Sequence, residues 1–131
     1  MPIGNAAAEN ILNKEFGGDD YTEVTSYWIG FRSNGVELTN GDSPGYARTE
    51  VEVNTTNFPT TATALISNAV AFSTPPTGNA TGNWLEADEV VLYDAEAVGN
   101  IRYSGLLDQP FTLTTGRART FAIGSLRIRF V

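Results

Sequence analysis

Residues 89–107 read EVVLYDAEAVGNIRYSGLL. Two runs, Glu89–Tyr93 and Ile101–Leu106, flank a loop holding Asp94, Ala95, Glu96, Gly99 and Asn100. Short apolar runs bounded by turn-forming residues are the mark of buried strands. The pattern predicts a β-hairpin whose loop is longer than a tight turn. It decides the fold class, because the chain around it is punctuated in the same way.

Upstream, Tyr27–Phe31 predicts a strand with two large aromatics, and Asn34-Gly35 a tight turn, since both residues tolerate positive φ. Asn40–Gly45 is rich in turn formers. From Tyr46 to Val53 the residues alternate, with Val51 and Val53 to one side and Glu50 and Glu52 to the other, as in a half-exposed strand. A Thr-rich stretch, Asn54–Thr63, is broken by Pro59 and reads as a crossing between sheets or over an edge. Leu65–Phe72 predicts another strand, and Thr74–Gly82 a surface loop.

Downstream, Phe111–Leu113 predicts a short strand, and a turn at Thr115-Gly116 leads to a last strand from Arg119 to Phe130. Phe121 and Ile123 share one parity there; Leu126, Ile128 and Phe130 share the other. One extra residue must be absorbed between them, and Gly124-Ser125 is the place for a β-bulge. Before the strands, Ala8, Ile11, Leu12 and Phe16 recur at helical spacing, Asn5 offers a cap, and Gly17-Gly18 a left-handed end. Such a short helix must dock on its own sheet or on a neighbouring subunit.

The expectation is an all-β, single-domain antiparallel β-sandwich or jelly-roll-like barrel with a short N-terminal helix. Residues 1–131 form the domain, with 1–18 the helix and its cap and 21–131 the β part. A chain of 131 residues, 41% hydrophobic, can build a core without staples.

With neither Cys nor His, thiolate sites, disulfides and the commonest general base and metal ligand are excluded. No basic region precedes an apolar stretch at the N-terminus, so no signal peptide reads there. No apolar run is long enough to cross a bilayer. The net charge of −7 argues against a nucleic-acid partner, which needs clustered Lys and Arg. No membrane partner and no cofactor are expected.

The charge is unevenly placed. Residues 117–131 carry Arg117, Arg119, Arg127 and Arg129 and no acid, so the preceding 116 residues carry −11 of the net −7. Either these arginines pair within the chain on a solvated sheet face, or they form a basic edge that meets the acidic surface of a neighbouring copy. They are the candidate assembly interface.

Chemistry has few carriers. Glu86, Asp88, Glu89 and Asp94 cluster in sequence, but nothing locks a pair at the separation glycoside hydrolysis requires, so no catalytic residue is expected. Asp19-Asp20 and Asp42 lie in Gly-containing loops without calcium-loop spacing and read as solvated turn acids, so no metal site is expected. Trp84 follows a loop of Gly and Asn and is the candidate exposed aromatic for a stacked sugar.

Six stretches in order carry a family resemblance: AENILNKEFGGDDYT, SYWIGF, Gly45-Tyr46-Ala47-Arg48, LISNAVAFSTP, NWLEADEVVLYDAEAVGNIRYSGLL and FAIGSLRIRF. Together they resemble small tailed-bacteriophage virion proteins labelled tail fibre or minor structural proteins. The loop Ser33–Pro44 is shorter than that family's pattern, and the Thr-rich spacer and Arg-rich ending depart from it. The resemblance implies a virion structural protein made in the bacterial cytoplasm. Its first reading is a capsid decoration or cement protein, a homotrimer bound to the major capsid protein. The alternative is a small tail or tail-fibre-associated protein, partnered by tail proteins, that binds host-surface glycan.

Overall fold

A computed structural model describes residues 3–18, 24–59 and 65–129. Asp19, Asp20, residues 60–63 of the Thr-rich spacer and Phe130 lie outside the described residues. Helix α1 (Asn5–Leu12) runs into a π turn (Asn13–Gly17). Nine strands follow among the described residues: β1 (Ser26–Ser33), β2 (Val36–Glu37), β3 (Thr49–Glu52), β4 (Leu65–Ser67), β5 (Phe72–Thr74), β6 (Ala87–Tyr93), β7 (Ile101–Phe111), β8 (Arg119–Phe121) and β9 (Arg127–Arg129). All pairings are antiparallel.

Strand β1 is the middle of a five-stranded sheet. It pairs with β6 on one side and with β2 and β3 in succession on the other, and β7 lies outside β6. Its Tyr-Trp-Ile-Gly-Phe run suits that central place, because aromatic and β-branched residues fit a pleated surface covered on both faces. Ile29 opposes Leu92 and Phe31 opposes Val90 on one face; Trp28 opposes Tyr93 and Gly30 opposes Val91 on the other.

The first face is covered by a ribbon of β4–β9 and β5–β8. Phe121 of β8 stacks on both Phe31 and Phe72, and Phe111 meets Phe31 and Phe121 edge-on. At roughly 1.5–3 kcal/mol for each buried large side chain, this quartet outweighs any single polar contact and fastens the two layers. Among the described residues no closed barrel forms; the all-β fold is sandwich-like, a sheet faced by a ribbon.

The hairpin forms as its sequence predicts, and Asn34-Gly35 turns with φ of 50 and 81°. Strand β7 runs on to Phe111, absorbing the start of the short strand expected there. Four residues, Leu107–Pro110, face the single Asp88 between the pairs Glu89–Leu106 and Ala87–Phe111. Pro110, which has no N–H to give a ladder, sits in this bulge.

The two long strands expected at Leu65–Phe72 and Arg119–Phe130 are each split in two. The expected extra residue is nevertheless there: four residues, Asn68–Ala71, face five, Ala122–Leu126, between the pairs Ser67–Arg127 and Phe72–Phe121. Gly124 takes φ of 80° in the longer segment. The break is wider than a simple bulge because Asn68 fills it. Asn68 is 1% exposed. Its backbone N–H donates to Leu126 O and its carbonyl accepts from Gly124 N. Its side-chain amide donates to Val70 O and Ala122 O, and its Oδ1 accepts from Leu126 N. One side chain thus replaces the ladder that the irregular segment gives up. Ile123, expected on the core face, is exposed as a result, whereas Leu126 is buried.

The helix departs most from expectation. Gly4, with extended backbone, is its cap residue, and Asn5 is already helical. Gly18 closes the π turn at φ of 70°, as the glycine pair predicts. The apolar stripe does not dock: only Ala7 is buried, while Ile11, Leu12 and Phe16 are 37, 55 and 82% exposed. Alanine leaves little to bury, and the contact that holds the segment is backbone pairing. Ile3 bridges Tyr103, and Gly4 N–H donates to Arg102 O at the edge of β7.

Candidate functional site

The face of the sheet turned away from the ribbon is closed by a polar clamp built on Gly45-Tyr46-Ala47-Arg48. Tyr46 folds over Gly30, where a Cβ would come within 2.7 Å of the Tyr46 hydroxyl and 2.8 Å of the Tyr93 ring. The hydroxyl donates to Glu37 Oε2 at 2.7 Å and accepts from Phe31 N–H. Arg48 grips the same carboxylate with both prongs, Nε to Oε2 and Nη2 to Oε1, each 2.8 Å. Its Nη1 donates to Ala95 O and Val98 O, each 2.8 Å. The guanidinium lies 3.4 Å from the centroid of the Tyr93 ring.

Burial alone would raise the Glu37 pKa, but hydrogen bonds from Arg48 and Tyr46 outweigh it and hold the carboxyl below its ordinary value. Burial and the bond to Glu37 push the Tyr46 phenol far upward. With its charge matched and its lone pairs taken, Glu37 is not poised to take a proton from a substrate.

Arg48 also ties down the hairpin loop. At the loop's base, Asp94 accepts from Asn100 N at 2.7 Å and from Arg102 Nε at 3.2 Å. Burial opposes and these bonds favour its ionised form, and the net effect lowers its pKa. The tip, Glu96–Val98, stands in solvent. Val98 is 85% exposed and takes φ of 58°, a conformation that costs a β-branched residue dearly.

Three of the other candidate acids have partners of their own. Asp88 accepts from Asn34 N–H, Glu89 pairs with Arg32, Asp42 accepts from Thr39 N–H and Glu86 is exposed. No group of acids that could hold a metal occurs among the described residues. No helix among them is long and apolar enough to cross a membrane.

Trp84 is not the exposed aromatic its loop suggests. It is 4% exposed, meets Tyr46 edge-on at 5.7 Å, and donates from Nε1 to Pro44 O at 2.8 Å. Its indole finds both an apolar bed and an acceptor, which is why burial wins.

The candidate arginines do not gather at one point. Arg117 lies in the turn after β7, exposed. Arg119 pairs across from Thr74, its guanidinium 5.6 Å from the rings of Phe111 and Phe121. Arg127 and Arg129 occupy β9, beyond the Asn68 break, opposite Ser67 and Leu65. Arg127 is exposed, and its Nε donates to Gly124 O.

Beside Arg127 an open groove of about 790 Å³ runs between the β7 bulge and the Gly124–Arg127 segment. Leu106, Leu107 and Asp108 line one wall, Leu126 and Arg127 the other. Leu106 is 82% exposed. Neither groove nor clamp is marked by local sequence pattern. The Gly45–Arg48 motif reads locally as the opening of a strand.

Residues 2–129 match the model of a protein family described as Podophage GP4 fiber I protein gp80. No curated protein matches the chain.

Proposed function

We propose a role that proceeds from kinship: the chain belongs to the podophage fiber I protein gp80 family and is a structural protein of the phage virion. Within the virion we assign it to the tail fibre apparatus, as a compact, non-enzymatic subunit. The observation that carries this reading is the family match across nearly the whole sequence.

The architecture supports it. Glu37, Tyr46 and Asp94 are bound into the clamp or the base of the hairpin loop. The described residues hold no long helix of the kind a coiled-coil shaft needs, which favours a unit seated on a fibre over the shaft itself. Capsid decoration, the first reading of the sequence, draws no support from a fibre family. Glycan binding through Trp84 loses its motive with that ring buried.

Purified virions separated into heads and tails provide the test. Mass spectrometry should find the protein in the tail fraction. Finding it only on tailless heads would overturn the fibre assignment and restore decoration.

A further inference from the structure

The chain holds two Asn-Gly pairs, Asn34-Gly35 and Asn40-Gly41. Such a pair carries its own chemistry. The backbone nitrogen of the glycine attacks Cγ of the asparagine side chain, an approach that glycine leaves open because it has no Cβ. The N–Cγ bond forms, ammonia leaves and a cyclic imide remains. Water then opens the imide at one carbonyl or the other. The products are aspartate and isoaspartate, in which the backbone runs through the former side chain. No enzyme, metal or oxidant takes part. In a folded protein the rate is set by what holds the side-chain amide and the glycine nitrogen.

The two pairs are held differently. Asn40 is fixed, because its Oδ1 accepts from Gly45 N–H at 2.8 Å. Its loop is closed by Thr39 and Asp42, whose backbone N–H groups each donate to the other's side chain. Asn34 stands with Gly35 and Val36 in solvent at the tip of the β1–β2 hairpin. Its backbone N–H donates to Asp88 Oδ2 at 3.2 Å. Among the described residues, neither its side-chain amide nor the Gly35 N–H has a hydrogen-bond partner. A Cβ built on Gly35 would meet nothing within 4 Å. The attack requires the peptide between them to swing. Strand β2, which closes the turn, is two residues long and lies at the sheet edge, the kind of pairing that opens locally at low cost.

We infer that Asn34 is a modification site: it deamidates spontaneously in the folded protein while Asn40 is spared, and the product weakens the clamp. Aspartate at this position sets a second carboxylate near Asp88, the group that holds the turn's own N–H. Isoaspartate adds a backbone carbon to a two-residue turn, so the pairs Ser33–Val36 and Arg32–Glu37 lose their common register. Glu37 is the carboxylate that Arg48 grips, and it lies three residues beyond the reacting asparagine. The turn thus acts as a slow chemical timer on the clamp, wherever in the virion the protein sits.

The test ages the full chain, warm and at mildly alkaline pH, folded in buffer and unfolded in guanidinium chloride. Cleavage after Glu37 separates the two pairs, and mass spectrometry reads conversion of amide to acid at each. Unfolded, the two asparagines should convert at similar rates. Folded, Asn34 should convert at least about fivefold faster than Asn40, the factor set by one hydrogen bond of ordinary net strength. The aged chain should gain an acidic species on anion exchange, and that species should melt below fresh protein. Asn34→Gly keeps a residue at ease with positive φ and removes the amide, so its aged form should show neither change. Equal rates at the two sites in the folded protein, an Asn34 that converts only when unfolded, or an acidic species that melts as fresh protein does would each overturn the inference.

Discussion

Where Arg48 lies over Tyr93, polar groups close upon one another; around Phe16 and Leu106, large apolar side chains stand in water. The two regions belong to one fold and face different demands. The clamp joins β2, the loop before β3 and the hairpin loop, segments that share no ladder with one another, through four of the five N–H groups of one guanidinium. It uses up its chemistry in holding shape. The helix and groove leave theirs unspent. Stretches shared with the family run through both regions: Gly45–Arg48 builds the clamp, and others hold Phe16, Leu106 and Arg127.

The contrast breaks most directly at Arg48. Arg48→Ala would leave Glu37 part-buried without its partner and orphan Ala95 O and Val98 O. We expect a loss of about 3 kcal/mol in urea unfolding, with Arg48→Lys a partial rescue because lysine cannot fork. A loss below about 1 kcal/mol would mean that the clamp is ornamental. Asn68→Ala should follow at about 2–3 kcal/mol, since Val70 O, Ala122 O and Leu126 N lose their side-chain partner in a buried position. Trp84→Phe keeps the ring and removes only the bond to Pro44, and should lower stability by about 1 kcal/mol.

Acid probes the same region. The folded pKa values of Glu37 and Asp94 are depressed, so the stability they contribute is fully present above the unfolded carboxylate range, near pH ~4. It is lost as pH falls through their lower folded values. Thermal midpoints should therefore be flat above about pH 5 and drop below about pH 4, and Glu37→Gln should blunt the drop. At the open surface, Phe16→Ser should shift unfolding by no more than about 0.5 kcal/mol, far less than Arg48→Ala.

Much of the scaffold is written in local pattern. The hairpin, the Asn34-Gly35 turn and the one-residue mismatch near Gly124 all follow from period-two alternation and turn chemistry, which depend on neighbours in sequence. The split of the ribbon does not, because it depends on Asn68 reaching Ala122 and Leu126 across the fold. Arg48 finds Glu37 eleven residues away and Val98 fifty away, and nothing local marks it as buried. Trp84 escapes local pattern for the same reason: its acceptor, Pro44, lies forty residues upstream. The helix stripe was legible as apolar, but periodicity says which residues share a face and not what covers it.

Hydrogen exchange of this protein in intact virions, compared with the isolated chain as a monomer, sets the two regions against each other directly. Amides of residues 5–17, 105–108 and 124–127 should slow on assembly, while those of 37–48 and 94–100, already closed within the chain, should keep their rates. Slowing confined to 37–48 and 94–100 would contradict the account and make the clamp, not the open groove and helix, the contact surface.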